Sequence, residues 1–278
     1  MGSVARTTAV ELVVYLILAV GVAAALAPLF YMVTTSLKTL TDAFRFPPQW
    51  IPNPVVWRNY VNIWSRIPLA RMLFNSVKVS GLTVLGTLVS CSLAGYAFAR
   101  IRFWGRDVLF VMVLATLMVP NQVTLIPTFL LMRKLGFVDT HYPLFVPAWL
   151  GPAFGTFLMR QFYKTIPREL EEAAKLDGCN PLRAYIDIFL PLSGPVMATV
   201  ALFAFLSSWN NLLWPLVFLQ SPHLMTFPVG LTLLSGQYFS EIPLLMTTAT
   251  ISIVPTIVIF VLLQRFFVQG VVLSGIKG

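Results

Sequence analysis

Charged residues divide the chain into long uncharged stretches, most of which are strongly apolar. The long gaps between successive charged residues are 12–37, 79–99, 108–132, 140–159, 188–240 and 242–264. Each gap can hold a helix of about 20 apolar residues, the length that crosses the hydrocarbon core of a bilayer. Because an ionised side chain is costly at the bilayer centre, these gaps predict membrane-spanning helices.

The fifth gap is long enough for two helices, yet its sequence favours one. Pro191 and Pro195 open it, and the polar stretch 220–223 interrupts it. The remainder, 226–239, is short and contains Pro and Gly, so we expect an interfacial or re-entrant segment there. The pattern therefore predicts six spans, at about 12–35, 76–98, 108–131, 143–162, 196–219 and 243–264.

The composition supports this interpretation and excludes a soluble globular protein. Hydrophobic residues make up 58% of the 278-residue chain and charged residues 10%, and the mean hydropathy is +0.82. Soluble domains contain roughly 45–50% apolar and 25% charged residues. We therefore predict an all-α integral membrane protein that forms a single domain over residues 1–278.

The basic residues predict the orientation in the membrane. The formal net charge is +9, but the basic residues lie scattered at the borders of apolar segments, which favours contact with membrane lipid over nucleic acid. Beyond the first external loop, eight Lys or Arg lie in 99–107 and 160–195, against Arg133 and Lys134 on the other side. The positive-inside rule therefore places both termini, including the tail 265–278, in the cytoplasm.

Several kinds of chemistry are missing from the sequence. The central parts of spans two to six contain no Asp, Glu, Lys or Arg, so coupling to protons is not favoured. No phosphate-binding loop, H-E-x-x-H or G-x-S-x-G motif is present. Cys91 and Cys179 lie in a span and in a charged loop, so we expect neither a disulfide nor a metal site. Energy for uphill transport would have to come from a partner.

Loop 165–195 predicts a pair of short amphipathic helices. The first has Pro167 near its start and acidic residues in its early turns, where negative charge suits the helix dipole. Its predicted apolar stripe consists of Ile166, Leu170, Ala173 and Ala174. Gly178 follows as a turn residue that favours a positive φ.

The second helix of this loop has its own signals. Asn180 and Pro181 have the residue types of an N-cap and a first helical position, and Pro191 is expected to end the helix before span five. Spacing alone leaves two interpretations open. The hairpin either inserts into a groove on another protein or is an ordinary juxtamembrane connector.

A motif within the loop bears on this choice. The pattern E-A-A-x-x-x-G, nine residues, I-x-L-P is present as Glu172-Ala173-Ala174, Gly178 and Ile188-Phe189-Leu190-Pro191. It resembles the coupling loop of permease subunits from binding-protein-dependent ABC importers. Similar stretches at 36–38, 46–52, 117–120, 155–160, 209–215 and 264–278 resemble the smaller, six-span subunit of the maltose-type carbohydrate importers.

The resemblance implies a fold, partners and roles. The fold is that of a type I ABC importer permease with a cytoplasmic coupling-helix loop. The partners are a homologous second permease, two ATPase subunits that bind ATP and Mg, and an extracytoplasmic binding protein in a bacterial or archaeal inner membrane. The chain itself would be no enzyme and hold no cofactor. The residues implied to contact the ATPase are Glu172, Ala173, Ala174, Asp177, Gly178, Gln269 and Gly270.

Polar residues in apolar spans are the candidates for a substrate pathway. They are Asn121, Gln122, Trp209, Asn210 and Asn211. Amides and an indole suit an uncharged, hydroxyl-rich sugar, because each amide both donates and accepts hydrogen bonds. The alternative is that they join helices within the bundle. Many similar permeases carry an acidic residue where this chain has Asn210, which leaves the ligand preference open.

Other functions remain open at this point. One is an ABC importer permease for a polyol phosphate, an amino acid or a peptide. Another is a standalone secondary carrier, which would be expected to have ionisable residues within its spans. His141 and His223 are interpreted as surface residues of external loops, and Gly151 and Gly155 as a helix-packing pair.

Overall fold

The computed structural model describes the backbone of residues 2–237 and 241–274, and the side chains of 11–232 and 241–266. Within these ranges all regular secondary structure is helical. The α-helices are α1 (Gly2–Ser36), α2 (Leu40–Ala43), α3 (Arg58–Arg66), α4 (Leu69–Arg100), α5 (Arg106–Ala115), α6 (Leu125–Lys134), α7 (Tyr142–Phe145), α8 (Ala153–Thr165), α9 (Arg168–Leu176), α10 (Pro181–Ala184), α11 (Leu190–Leu192), α12 (Gly194–Trp209), α13 (Leu213–Phe218), α14 (Phe227–Gln237) and α15 (Ile242–Ser274).

Three of the described helices are long and apolar enough to cross a membrane. They contain the stretches Glu11–Ser36, Leu69–Arg100 and Ile242–Phe266, and the bent pair Pro181–Leu192 and Gly194–Trp209 is a fourth if it counts as one span. These four correspond to predicted spans one, two, six and five. The count of six stays a prediction.

The predicted spans three to five are each interrupted. The helix predicted over 108–131 ends at Ala115, continues as a 3-10 turn to Met118 and resumes at Leu125. Span four is broken at Gly151, where φ is +77, and span five at 210–212. Irregular backbone at membrane depth needs buried protein or a polar cavity around it.

The chain divides into two compact units, 1–69 with 231–254 and 70–230 with 255–278. In the first unit the end of α1 is held by polar contacts. Ser36 Oγ lies 2.8 Å from the Tyr60 hydroxyl, and Asn59 Nδ2 donates to the Ser36 and Lys38 carbonyls at 2.8 and 3.0 Å. Thr247 Oγ1 donates to the same Ser36 carbonyl.

In the second unit α4, α8 and α12 pack closely through glycine. A Cβ on Gly95 would lie 2.5 Å from the Cβ of Met159, and a Cβ on Gly155 would lie 2.7 Å from Cys91 Sγ. Gly155 therefore packs helices, as its spacing with Gly151 predicts. Gly151 instead adopts the left-handed conformation that turns the chain into α8.

A polar clamp in the second unit holds the segment 219–225. Asp139, at φ +58, accepts hydrogen bonds from the amides of Gln220 and Ser221 and from the Ser221 hydroxyl. These hydrogen bonds lower the pKa of Asp139. Asn75 Nδ2 donates to the carbonyls of residues 223 and 225, both at 3.0 Å.

His141 belongs to the same clamp. Its side chain is buried, and Nε2 lies 2.8 Å from the Leu224 carbonyl oxygen. Burial lowers the pKa of His141, the hydrogen bond to the Leu224 carbonyl opposes this in part, and Lys78 and His223 lower the pKa further. The expectation that His141 is a surface residue is therefore wrong, because its apparent isolation in the sequence hid a partner 83 residues away.

Candidate functional site

The loop 165–195 forms a helical hairpin whose first helix, α9, begins directly after Pro167. Glu169 and Glu171 lie in its first turn, where negative charge stabilises the helix N-terminus. Of the predicted apolar stripe, Ile166 and Ala174 are buried, whereas Leu170 and Ala173 are exposed. The stripe is thus divided between an inner and an outer surface.

Helix α9 ends in a Schellman motif at Gly178. The Cys179 amide donates to the Ala174 carbonyl at 2.9 Å, and the Gly178 amide donates to the Lys175 carbonyl at 3.1 Å. This pattern requires a left-handed residue, and Gly178 has φ +78. A Cβ there would meet no atom within 4 Å, so glycine is needed for its backbone conformation rather than for space.

The second helix starts as predicted and ends within one residue of the predicted position. Asn180 Oδ1 caps it by accepting from the Arg183 amide at 2.8 Å, and Pro181 is the first helical residue. A π-helical turn, Tyr185–Phe189, then leads into α11, which contains Pro191. The helix ends at Leu192, one residue after Pro191, and the chain bends by 78° before α12 begins at Gly194.

The outer surface of the hairpin, here called the hairpin tip, is exposed and partly apolar. Leu176 is 90% exposed, Leu182 60% and Ile186 50%. The exposed predicted docking residues are Glu172, Ala173, Asp177 and Gly178. Apolar side chains grouped among charges in this way are typical of a protein-binding surface. Ala174, also in α9, is buried and faces inward instead.

The inner surface of the hairpin rests on an aromatic cluster. It comprises Tyr96 from α4, Tyr163 from α8, and Tyr185 and Phe189 from the π-helical turn. The Tyr96 ring centroid lies 5.2 Å from that of Tyr185 and 5.0 Å from that of Phe189. The cluster gives the hairpin a packed base, because aromatic pairs at such distances add to the free energy of burial.

A cavity of about 560 Å³ lies in the second unit at the three helix breaks. Asn121 reaches it from the break after α5, Pro152 from the break before α8, and Asn211 from the break after α12. This volume is in the range of small-molecule sites. The breaks thus satisfy the requirement that irregular backbone in a span line a cavity.

The side chains around the cavity are uncharged, and about half of them are aliphatic or Pro while the rest are polar or aromatic. Its hydroxyl, amide and aromatic lining residues are Thr83, Thr87, Ser207, Asn121, Asn211, Phe154, Phe203 and Trp214. Asn211 Oδ1 accepts from the Trp214 amide at 3.2 Å, which fixes the side chain through its oxygen and does not use its Nδ2 donors. Hydroxyls, amides and aromatic faces are the groups that bind a neutral polyhydroxyl compound.

The structure brings two of the five predicted pathway residues to the cavity. Asn121 and Asn211 line it, whereas Gln122, Trp209 and Asn210 do not. Trp209 is buried and stacked between Phe205 and Phe227, and Asn210 Nδ2 donates to the Leu206 carbonyl.

The sequence also missed lining residues. Thr83, Thr87 and Trp214 carried no signal, because Thr and Trp are common in spans that only pack. The predicted tail contacts Gln269 and Gly270 lie on the backbone of α15, but their side chains are outside the described part of the chain.

Comparison with known proteins decides the family. The sequence pattern of the binding-protein-dependent transport system inner membrane components matches residues 86–273, which include the whole hairpin and most of the cavity. The chain belongs to this family. It is therefore a multi-pass inner-membrane transport component and not an enzyme.

Individual relatives cover almost the full length of this permease. The arabinooligosaccharides transport system permease protein AraQ of Halalkalibacterium halodurans is 36% identical over 257 residues, 91% of this chain and 92% of the relative. The sn-glycerol-3-phosphate transport system permease protein UgpE of Pectobacterium atrosepticum is 32% identical over 266 residues, 93% and 94% of the two chains.

The permease fold is also seen in a solved structure. A chain of a bacterial ABC transporter involved in the import of the acidic polysaccharide alginate superimposes with a TM-score of 0.81 at 23% identity, covering 94% of this chain and 97% of that one. The prediction of an ABC importer permease fold is confirmed.

Proposed function

We propose that this chain is a permease subunit of an ATP-driven importer for a neutral sugar or oligosaccharide delivered by an extracytoplasmic binding protein. The uncharged cavity carries the proposal. The hydroxyls, amides and aromatic rings within its otherwise apolar lining match a neutral sugar, while a charged substrate would need countercharges. The AraQ relative, named for arabino-oligosaccharides, supports the same class of substrate.

The energy comes from partners. Of the two ATPase subunits, which hold ATP and Mg, one docks on the hairpin tip of this chain, and a homologous permease completes the membrane part. The exposed Leu176 and Leu182 fit an apolar groove, and the acidic Glu172 and Asp177 beside them fit its basic rim. Gln269 and Gly270 of the tail add a second contact with the ATPase dimer.

The topology follows from these contacts. Six spans place both termini and the hairpin in the cytoplasm, with spans three to five crossing as broken helices around the cavity. Closure of the ATPase dimer displaces the hairpin, and the spans reorient around the cavity. The whole chain acts as one permease domain in this cycle.

A different substrate class has specific support. Relatives such as UgpE are named for sn-glycerol 3-phosphate. That substrate carries a phosphate, and no charged residue is among those lining the cavity. A phosphate importer would therefore need its cation from the partner permease.

Purification of the intact complex tests the proposal. The tagged chain is extracted in mild detergent from its native host, and stoichiometric partners are identified by mass spectrometry. We expect an ATPase dimer and a second permease. Recovery of a stable chain without an ATPase would favour a standalone carrier and refute the proposal.

Uptake then identifies the substrate class. The complex and its binding protein are reconstituted in proteoliposomes with ATP on the ATPase side. Short arabino-oligosaccharides and sn-glycerol 3-phosphate serve as labelled probes. ATP-dependent uptake of the oligosaccharides is expected, and uptake of the phosphate alone would contradict the neutral-sugar assignment.

A further inference from the structure

Helix α4 carries three polar side chains on one face, and each of them contacts the hairpin or its connecting segments. They are Ser92, Tyr96 and Arg100, which are spaced four residues apart and therefore lie above one another on the helix. Ser92 Oγ lies 2.7 Å from the Tyr185 hydroxyl, and the Tyr96 hydroxyl donates to the Pro181 carbonyl at 2.9 Å.

Arg100 makes the largest set of these contacts. Its side chain is only 6% exposed. Nε donates to the Tyr163 carbonyl at 3.1 Å, and Nη2 donates to the carbonyls of Tyr163 and Ile166. These carbonyls belong to the end of α8 and the linker into α9, where backbone partners are scarce, and the Tyr163 carbonyl accepts from the Ile166 amide only at 3.4 Å. The guanidinium therefore caps the end of α8 and the linker that leads into the hairpin.

The same guanidinium also contacts the hairpin itself. Nη1 lies 3.7 Å from Glu171 Oε2 in α9, and the guanidinium carbon lies 5.0 Å from the Phe189 ring centroid. Glu171 is held from its other side by Lys175 Nζ at 2.7 Å. One buried charge thus joins α4 to the end of α8, to α9 and to the π-helical turn. Such a group resists separation, because Arg100 alone would be left as an uncompensated buried charge.

Helix α4 continues from Arg100 to the cavity. Thr87 and Thr83 line the cavity 13 and 17 residues earlier on the same helix. At 1.5 Å per residue this is about 20–25 Å along a continuous helix. Because a helix transmits axial displacement without repacking, a group that fixes the hairpin to the end of α4 also links the hairpin to the cavity wall.

We infer that Arg100 is a positioning residue that fastens the hairpin to α4, so that displacement of the hairpin by the ATPase reaches Thr83 and Thr87 through one rigid helix. This inference rests on the proposed function. It assigns a task to a residue that the sequence presents only as a basic anchor at the end of a span.

The test separates coupling from folding. The complete complex with its binding protein is reconstituted in proteoliposomes, and ATP hydrolysis and uptake of short arabino-oligosaccharides are measured together. We expect Arg100→Gln to retain ATP hydrolysis and to lower the sugar imported per ATP by about fivefold or more. A merely structural role would reduce both activities in proportion to assembled complex and leave this ratio unchanged.

Two further variants keep the result decisive. Glu171→Gln leaves the backbone contacts of Arg100 in place and should lower the ratio by about twofold, even if Arg100→Gln fails to assemble. Arg102→Gln makes the same change at an exposed position two residues along and should keep the wild-type ratio.

The outcomes distinguish the two claims. An assembled Glu171→Gln complex with the wild-type ratio overturns the inference, as does an assembled Arg100→Gln complex with that ratio. A wild-type complex that imports no probe in an ATP-dependent way refutes the proposed function instead.

Discussion

The hairpin and the cavity are built in opposite ways. The hairpin consists of short helices with regular caps at Asn180 and Gly178 and exposes charges and leucines at its tip. The cavity is formed where three helices fail to continue, and its lining carries no charge. One region is regular and suited to a protein partner, and the other is irregular and suited to a small neutral ligand. Helix α4 contributes to both regions. Because the regions differ in construction, we expect substitutions in the hairpin to impair coupling and substitutions in the cavity to impair substrate binding.

Gly178→Asp should have the largest effect on transport. The left-handed conformation costs a non-glycine residue about 1–2 kcal/mol, and the new side chain lies on the hairpin tip. We expect membrane insertion and ATP hydrolysis to persist while sugar uptake in proteoliposomes falls at least about tenfold.

Gly136→Asp is the matched control for this substitution. Gly136 has φ +73 and, like Gly178, no atom within 4 Å of a Cβ, but it lies outside the hairpin. The same backbone strain should leave uptake near the wild-type rate. Normal uptake by Gly178→Asp would count heavily against docking at the hairpin tip.

Gly95→Ala should have the largest effect on stability. Its Cβ would lie 2.5 Å from the Cβ of Met159 and 2.9 Å from the Arg160 amide nitrogen, so α4 and α8 must separate below the aromatic cluster. A loss of about 1–3 kcal/mol in the free energy of unfolding is expected from such overpacking. Thermal unfolding in detergent, followed by tryptophan fluorescence, measures it. Gly81→Ala, on the same helix but facing open space, should not be destabilised.

Asn211→Ser should alter substrate affinity alone. Serine can still cap the turn to Trp214, but it loses the amide donors of a residue that lines the cavity. Losing one hydrogen bond should raise the sugar concentration for half-maximal uptake roughly two- to tenfold. Asn210→Ser changes the neighbouring amide outside the cavity and should leave this concentration unchanged. Equal effects of both variants would show that the change in affinity does not arise from contacts within the cavity.

The clamp around His141 should show the smallest effect, and one that depends on pH. Because burial lowers the pKa of His141, the folded state binds a proton less readily than the unfolded chain. The contribution of neutral, buried His141 to stability is therefore complete above the unfolded pKa of about 6.5. It declines as the pH falls below that value.

Melting temperatures measured at about pH 7.5 and about pH 5.5 test this contribution. The wild type should melt at a lower temperature at the acidic pH. His141→Gln retains a donor for the Leu224 carbonyl but does not titrate, so its decline should be smaller. The exposed His223→Gln keeps the burial of His141, which is the main cause of its lowered pKa, so its decline should stay close to that of the wild type. An identical decline in His141→Gln would remove His141 as the cause.

The contrast between the regions also explains what the sequence could predict. Local signals determine the hairpin: the Asn180 cap, the Gly178 turn and the start after Pro167 all act within a few residues, and all were predicted. The π-helical turn Tyr185–Phe189 was not, because such a turn has no local sequence signature. His141 and Arg100 depend on partners more than 60 residues away, so neither contact could be derived from spacing.

The cavity could be predicted only in part. Asn121 and Asn211 were recognised as polar residues in apolar spans, yet uncharged length alone predicted continuous helices through 108–131 and 196–219. The breaks there are tolerated because they line a cavity, and that cavity exists only in the packed tertiary structure. Trp209 illustrates the converse, since an aromatic residue beside two amides packs between Phe205 and Phe227 instead of facing the cavity.

Photo-crosslinking from the hairpin tip tests the central claim, that an ATPase partner drives this permease through the hairpin, most directly. A photoreactive phenylalanine analogue replaces Leu176, which is 90% exposed, or Leu135, which is exposed outside the hairpin, as the control. Irradiation of the purified complex should join position 176, but not position 135, to a nucleotide-binding subunit that mass spectrometry identifies. An intact complex in which position 176 gives no adduct with the ATPase would contradict docking at the hairpin.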